Sequence, residues 1–458
     1  MNFLIIVTFL SLFSVDYLAN NLQVIPQKFF LLPEAMSAAV MVVVVLAGIS
    51  RRQLDMAPKY AIFLAWFILT VAAGLILNRV DSLVAISGFR IYLKSLPFFL
   101  LPMVYTFTDK QIRVQLLWLL GLCMTQIPLT IYQRFFQYRD VMTGDVVGGS
   151  LGVNTSGVLS ILLIFGIALI VGFYFKKLLK AWQAIPLALL LFIPTTLNET
   201  KVVLLLFPFV IIAPLFFAPN IANRGRKLLL MSVVGSMFMV LFFVAYDILQ
   251  GEREGTLVER MQSGNMFSYM FKGTDKVGKF SEIEVGRFDA IAFAIDKVAD
   301  TGSSIFGVGI GNASPSNTDK LVGEYWKTYY WTVPEKNMAS RVIWEMGYVG
   351  LLVYLGFLAI AFLDAKYLAK GDNFVAAFAL GWTPIVLIIA GSFVYLQTFV
   401  TTVFSHLFFF YSGYIAATRY RLHKTEYAET EHAKRHDPKR FAPQINPRGE
   451  KKFKPMIG

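Results

Sequence analysis

Arg287 is the residue whose type and position most clearly suggest chemistry. It lies in the run Val-Gly-Arg-Phe-Asp at 285–289 and opens a predicted amphipathic helix. Its planar guanidinium offers a fixed pair of donors that matches phosphate oxygens. Asp289 is close enough in sequence to orient this arginine or to neutralise it. The apolar face of the helix is predicted from residues at helical spacing, which are Phe288, Ile291, Ala292, Ile295 and Val298.

Two pairs of charges lie beside very apolar segments, where ionisable residues are costly. Arg90 and Lys94 are four residues apart, so both lie on one face of a predicted helix. Two stacked cations could hold a pyrophosphate, and snorkelling to a membrane interface explains them equally well. Glu199 and Lys201 lie in the turn Leu-Asn-Glu-Thr-Lys at 197–201, which opens a helix and therefore favours anions. A surface ion pair between them is the alternative.

A third group of polar residues surrounds the start of another apolar helix. Lys336 and Asn337 precede Arg341 and Glu345 in the sequence. Arg341 and Glu345 are four residues apart, so they either face a substrate or pair with each other.

Two glycine-rich stretches accompany these charges. The run Gly-Gly-Ser-Leu-Gly-Val-Asn at 148–154 could let the backbone approach a ligand, although a simple turn is the more ordinary explanation. Gly307, Gly309 and Gly311 predict a flexible turn. They do not form a dinucleotide-binding fingerprint, because the spacing is wrong and no βαβ pattern surrounds them.

The composition argues against metal chemistry. The polar stretch from Asp247 to Arg341 contains no histidine, and Cys123 is the single cysteine of the chain. These counts argue against zinc and a disulfide framework, and no close cluster of Asp and Glu predicts another divalent cation. We expect metal-independent chemistry without a cofactor.

The chain that positions these residues is predicted to be a membrane protein. It has 458 residues, of which 56% are hydrophobic and 16% charged, and the apolar residues occur in blocks of bilayer-spanning length. Its net charge of +13 is explained by cytoplasmic loops and anionic lipid rather than by nucleic acid. The predicted helices cover about 2–19, 29–49, 58–78, 84–107, 111–133, 155–175, 182–198, 201–218, 227–248, 338–363, 374–391 and 396–418.

The positions of the basic residues predict which connections lie on each side of the membrane. Alternate connections are rich in Lys and Arg, and residues 419–458 hold 11 Lys and Arg against 5 Asp and Glu. The positive-inside rule places these regions and both termini in the cytoplasm. Residues 248–338, with 10 basic against 12 acidic residues, then lie outside. The predicted organisation is nine helices in 1–246, a large external loop with amphipathic helices in 247–337, three helices in 338–418, and a basic, disordered cytoplasmic tail in 419–458.

These patterns together resemble the superfamily of bacterial O-antigen ligases and Wzy-type polysaccharide polymerases, whose members have about a dozen membrane helices and one large external loop. The resemblance rests on the order of several short motifs rather than on any single one. It implies an all-α polytopic fold, similar to that of the GT-C glycosyltransferases, in the bacterial inner membrane. The matching stretches are Gly149–Asn154, Thr200-Lys201, Gly286-Arg287, Gly307–Asn312 and Asn337 with Glu345, Gly347 and Gly350.

The implied activity is a glycosyl transfer at the outer face of the membrane. The donor would be an undecaprenyl-pyrophosphate-linked oligosaccharide, and the acceptor would be a sugar hydroxyl of another lipid-linked repeat unit of an O-antigen, capsule or exopolysaccharide. Arg287 would stabilise the pyrophosphate, and Glu199 is the first choice of base ahead of Glu345 and Asp289. Membrane lipids, a chain-length regulator and a flippase of the same pathway are the expected partners. The residues expected to bind substrate are Arg90, Lys94, Lys201, Lys336, Asn337, Asp289 and Arg341.

Two departures from the family pattern separate the alternatives. Lys336 stands where the family has an external histidine, and Lys201 stands where it has an arginine. Ligases that transfer glycan to lipid A-core commonly rely on that histidine, so its absence favours a polymerase. A ligase acting on lipid A-core or protein, a transporter of lipid-linked glycans and a non-catalytic assembly subunit remain the competing hypotheses.

Overall fold

The computed structural model describes residues 1–51, 54–141, 144–217, 224–254, 259, 285–316, 318–436, 444–445 and 451–452. Apolar blocks of the sequence form long helices because a helix satisfies its own backbone groups where water is absent. The helices are α1 (Asn2–Asp16), α2 (Leu32–Arg51), α3 (Pro58–Leu77), α4 (Ser82–Leu93), α5 (Leu96–Val104), α6 (Asp109–Tyr132), α7 (Ser156–Phe175), α8 (Ala181–Leu197), α9 (Val202–Phe217), α10 (Arg224–Glu254), α11 (Arg287–Asp300), α12 (Glu324–Tyr329), α13 (Met338–Leu368), α14 (Phe374–Ser392) and α15 (Thr402–His436).

The protein is an all-helical, multi-pass membrane protein. Among the described residues, eight helices are long and apolar enough to cross a bilayer, or nine if the bent pair α4 and α5 counts as one span. The helices α8 and α9 are apolar but shorter. The described β structure is one antiparallel pair of two-residue strands, β1 (Gln444–Ile445) and β2 (Lys451–Lys452).

The helix predicted over 84–107 is broken. The helix α4 ends at Leu93, α5 begins at Leu96, and their axes differ by 52°. Pro97 in the first turn of α5 explains the break, because a proline within a continuous helix lacks an N–H donor and clashes with the preceding turn. The break places Lys94 at a helix end instead of inside a helix.

The last helix is longer than predicted. It was expected to end near 418, with a disordered tail after it, but α15 continues to His436. The Arg421 guanidinium donates to Asp55 at 2.6 Å and to the Pro102 carbonyl at 2.7 Å, which fixes this extension to the bundle. The prolines of the tail, at 438, 443, 447 and 455, lie outside the described residues.

The interior of the bundle is built on α7 and α14. A Cβ atom on Gly172 of α7 would lie 2.5 Å from the Gly381 amide nitrogen of α14, so glycine permits the two backbones to touch. Small residues at such crossings are typical of membrane helices. The helix α5 packs in the same way against α15, where a Cβ on Gly413 would lie 2.2 Å from the Phe99 carbonyl oxygen.

The bundle has two chemically different ends. At one, which we call the basic end, Lys59 pairs with Asp364, and Lys176 lies 3.4 Å from Asp372. The opposite end, which we call the insert end, carries the described part of the polar stretch between α10 and α13. The segment 255–284 of the predicted external loop lies outside the described residues apart from Glu259. Lys59 and Lys176, two lysines of the connections predicted to be basic, thus lie at the basic end.

The first helix after this gap, α11, buries only part of the predicted face, since Val298 is buried and Ile291 packs against the core. Its buried residues are Ala290, Ala294 and Val298, whereas Phe288 and Ile295 are exposed. Ala290 and Ala294 let α11 approach α13 closely, and Val298 and Ile291 pack there as well. The expected amphipathic helix is therefore present, but its buried stripe includes two alanines in place of Phe288 and Ile295.

Candidate functional site

A loop containing Gly307, Gly309 and Gly311 attaches the insert to the bundle. All three residues have positive φ angles, of 68°, 90° and 83°. A Cβ at Gly307 would lie 2.4 Å from the Glu345 carbonyl carbon, and one at Gly311 would lie 2.3 Å from the Val84 carbonyl oxygen. The glycines therefore allow this loop to pass between helices in close contact. The predicted glycine turn is present, and it is closely packed against the neighbouring backbones.

The same loop complements an interruption in α13. Gly347 has φ 62° and ψ −162°, which breaks the helical hydrogen-bond ladder. The Val308 amide donates to the Trp344 carbonyl at 2.7 Å, and the Gly309 amide donates to the Glu345 carbonyl at 3.1 Å. Buried carbonyls without partners are costly, so the loop stabilises the interrupted helix and the helix fixes the loop. This arrangement positions the first turns of α13.

Glu345 lies at the centre of that arrangement. Its carboxylate accepts a hydrogen bond from the Tyr92 hydroxyl at 2.7 Å and another from the Ser314 hydroxyl at 2.7 Å. The side chain is 1% exposed. Both oxygens are therefore engaged in joining α4 and the insert to α13. In the described part of the chain, Glu345 forms no ion pair with Arg341, so the pairing that the sequence offered as one alternative is absent.

Arg341 is a buried cation that has no carboxylate within ion-pair distance among the described residues, although Glu345 and Glu335 lie within electrostatic range of it. It is 4% exposed, and its Nε atom has no hydrogen-bond partner there. Lys94, at the break between α4 and α5, lies within electrostatic range and donates to the Thr402 hydroxyl at 2.9 Å. Two cations gathered in a poorly solvated place repel each other and favour the binding of an anion.

Glu335 lies six residues before Arg341 in the sequence, and it was not among the predicted candidates. It lies in the connection before α13, and its Oε2 atom is buried without a partner among the described residues. Burial raises the pKa of this carboxyl to about 7, and Arg341 and Lys336 partly oppose the shift. A carboxyl with a pKa near 7 can accept and release protons at neutral pH. Its position in the sequence beside Lys336 is the signal that could have identified it.

Arg287 lies across the ring of Tyr395. The guanidinium carbon is 4.0 Å from the ring centroid, and Nε donates to the Tyr395 carbonyl at 3.3 Å. The Asn337 side chain donates to the Arg287 carbonyl at 2.9 Å and caps α13 through the Ser340 amide. Arg287 is thus held at the start of α11, and Asn337 is used to join α11 to α13.

The connection between α14 and α15, residues 393–401, joins the parts of this site. The Tyr395 carbonyl accepts a hydrogen bond from Arg287. The Gln397 side chain, two residues further on, donates to the Glu335 carbonyl. The Met338 amide donates to the Leu396 carbonyl at 3.1 Å. Nothing in the sequence of this connection predicted that role, because it is apolar and lacks charged residues.

Glu199 has a partner that the sequence did not predict. Its carboxylate pairs with Arg134 at 2.7 Å, and the two side chains are 10% and 7% exposed. Lys201 instead lies 5.4 Å from the ring centroid of Tyr246. The alternative of a Glu199–Lys201 surface pair is therefore replaced by a buried Arg134–Glu199 pair. An ion pair already occupies one of the oxygens that a base would use to accept a proton.

The glycine-rich loop near this ion pair is held by two glutamines, Gln126 in α6 and Gln133 directly after the end of α6. The Gln133 side chain exchanges two hydrogen bonds with the Gly149 backbone, both 2.8 Å long. The Gln126 side chain contacts the Ser150 amide at 2.8 Å and the Ser150 hydroxyl at 2.9 Å. These bonds give the loop a fixed shape next to the insert end.

The remaining predicted residues occupy different surroundings. Arg90 is exposed and pairs with Glu34 at 2.6 Å, so it separates from Lys94, which turns inward at the helix break. Asp289 lies in the first turn of α11, and Lys336 is half-buried beside Glu335. The structure thus brings Arg287, Lys94 and Arg341 to the insert end and adds Glu335 to them.

Compared with known proteins, the chain matches no protein-family model and no curated protein sequence. The class of protein that the fold defines is a multi-pass helical membrane protein, and buried charged side chains, among them Arg341 and Glu345, lie at its insert end.

Proposed function

We propose that this protein is a surface-polysaccharide polymerase of the Wzy-like type. It would transfer glycan from undecaprenyl pyrophosphate to a sugar hydroxyl of another lipid-linked repeat unit at the insert end. The observation that carries the proposal is the placement of buried Arg341, Lys94 and a carboxyl with a pKa near 7 at one end of a membrane bundle. A pyrophosphate leaving group needs cations, and an acceptor hydroxyl needs a base.

In the proposed reaction, the acceptor hydroxyl oxygen attacks the anomeric carbon of the donor glycan. Glu335 accepts the hydroxyl proton as the new C–O bond forms. The bond from the anomeric carbon to the pyrophosphate breaks, and undecaprenyl pyrophosphate leaves with both bonding electrons. Arg341, Lys94 and Arg287 stabilise the negative charge that develops on its oxygens. Electrostatic stabilisation of this kind often contributes more to the rate of an enzyme than any other effect.

The proposed topology has twelve crossings with a GT-C-like arrangement. Nine spans that include the bent pair, the shorter helices α8 and α9, and the apolar part of α15 give this number. The basic end would face the cytoplasm of a bacterial inner membrane together with both termini.

Purified protein incubated with lipid-linked repeat units tests the proposal directly. We expect a ladder of longer glycans, and we expect Arg341→Gln to reduce its formation by roughly 10²–10³. Lys297→Gln is the matched control, because Lys297 lies in exposed ion pairs with Asp296 and Asp300 and should leave the ladder unchanged. Transfer only to lipid A-core would indicate a ligase. Translocation of the donor without any transfer would overturn the enzymatic proposal.

A further inference from the structure

A second candidate binding site lies between α6 and α7, and it is separate from the proposed reaction. It is a cavity of about 450 Å³ whose walls come from α6, α7, α8, α14 and α15. Its lining is almost entirely apolar, and one charged side chain, Arg113, contributes to it. Along α6 the cavity extends from Arg113 to Cys123, a length of roughly 15 Å at the rise of an α-helix.

Arg113 marks the entrance of the cavity at the basic end. The side chain is exposed, and its guanidinium carbon lies 4.6 Å from the ring centroid of Phe374. No carboxylate of the described residues forms an ion pair with it. Two further lining residues, Leu178 and Leu179, lie between Lys177 and Lys180 in the sequence. Of the acidic residues near this entrance, Asp372 pairs with Lys176, and Asp109 lies one turn before Arg113 on α6 without forming an ion pair with it among the described residues.

Tyr411 supplies a second polar group inside the cavity. It lines the wall, is 2% exposed, and its hydroxyl has no hydrogen-bond partner among the described residues. Its ring packs 5.3 Å from that of Phe378, which is one helical turn from Phe374. It also lies 5.5 Å from the ring of Trp382, one turn further along α14, so the Tyr411 ring lies roughly 6–12 Å deeper along α14 than the Arg113 contact. A buried hydroxyl without a partner is costly, and an occupant with an acceptor at that level would satisfy it.

We propose that this cavity binds one anionic glycerophospholipid of the surrounding bilayer. The lipid phosphate would contact Arg113, an ester carbonyl would accept from the Tyr411 hydroxyl, and an acyl chain would fill the apolar cavity towards Cys123. Basic pockets between membrane helices bind anionic head groups in this way. The site lies at the basic end, whereas the proposed glycosyl transfer occurs at the insert end, so the lipid would stabilise the bundle and not serve as a substrate.

Native mass spectrometry of the full-length protein in mild detergent tests the proposal. Phosphatidylglycerol is added back to delipidated protein, with phosphatidylcholine as the zwitterionic comparison. We expect one tightly retained phosphatidylglycerol, and we expect Arg113→Gln to weaken its retention roughly five- to tenfold. Lys370→Gln is the matched control, because Lys370 also lies over an aromatic ring, that of Tyr367 at 5.1 Å, but does not line the cavity.

Two more variants separate the head-group contact from the cavity itself. Leu120→Trp should fill the cavity and abolish retention without changing any charge, and Tyr411→Phe should weaken it with little change in thermal stability. Equal retention by wild type and Arg113→Gln, or no retained phospholipid in wild type, would overturn the proposal. Retention of a polyprenyl phosphate in place of the phospholipid would also overturn it. If Leu120→Trp does not fold, the comparison of Arg113→Gln with Lys370→Gln decides the question.

Discussion

The Tyr92 hydroxyl donates to the Glu345 carboxylate at 2.7 Å, across a sequence separation of 253 residues. This contact joins α4, just before its break, to α13, just before the interruption at Gly347. Ser314 of the insert completes the contact from the other side. Glu345 is therefore a positioning residue that holds three parts of the insert end together, with Arg341 one turn away on the same helix.

Removal of the Tyr92 hydroxyl should loosen this junction. We expect Tyr92→Phe to lower the free energy of unfolding by roughly 1–3 kcal/mol, because it leaves a buried carboxylate oxygen without its donor. The measurement is equilibrium unfolding in detergent. Tyr348→Phe is the control, since Tyr348 is exposed on the same helix as Glu345. An equal loss in both variants would contradict the positioning role of Glu345.

The pH dependence of activity should follow Glu335. The base must be deprotonated, so the rate of glycan transfer should rise with pH up to about 7, the pKa of this carboxyl, and level off above it. Glu335→Gln should reduce the rate by roughly 10²–10⁴ and remove that rise. The check is a rate profile from pH 5 to 9 with lipid-linked substrate. A rise that persists in Glu335→Gln would show that another group is the base.

A rise in pH should increase the rate of transfer through Glu335 but decrease the contribution of this carboxyl to the stability of the folded protein. Burial raises the pKa of Glu335 from the ordinary 4.5 to about 7, so the folded protein binds this proton more tightly than the unfolded chain does. The contribution to stability is complete below pH 4.5 and decreases as pH rises towards 7. This contribution is measured by comparing the thermal unfolding of wild type and Glu335→Gln between pH 4.5 and pH 7. We expect the difference between the two proteins to change with pH, and a constant difference would contradict the buried position.

Arg287 should be more important for transfer than for folding. Because one charge-assisted contact to a leaving group is worth roughly 10²–10³ in rate, Arg287→Ala should nearly abolish polymer formation. Arg287→Lys should recover part of the activity, since it keeps the charge and loses the planar fork. Lys297→Ala on the same helix serves as the control. Chains of normal length from Arg287→Ala would refute the assignment.

A double-mutant cycle should reveal the stabilising interaction between the buried side chains of Arg134 and Glu199. Arg134→Met should destabilise the protein by roughly 3–5 kcal/mol, because it leaves a buried carboxylate unpaired. Adding Glu199→Leu should restore much of that loss. If the restored double variant still makes polymer, Glu199 is structural. If it is stable but inactive, Glu199 has the catalytic role that the sequence suggested.

Much of the fold followed from the sequence, because apolar blocks of membrane-spanning length have few alternatives to a helix. Each of the twelve predicted helical segments corresponds to helix in the structure, with Pro97 dividing one of them. These are local or compositional properties, so a linear sequence carries them directly.

The site depended on contacts between residues far apart in the chain. The sequence placed Arg341 four residues before Glu345, but only packing decided that the Glu345 carboxylate would bind Tyr92 and Ser314. Arg341 then has no carboxylate within ion-pair distance among the described residues, and its Nε atom has no partner there. Only packing buried Glu335, and burial is what brings its pKa to about 7. The partner of Glu199 is likewise Arg134, 65 positions away. Charge and helix length are determined along the chain, whereas desolvation and pairing are determined by the neighbours that the tertiary structure provides.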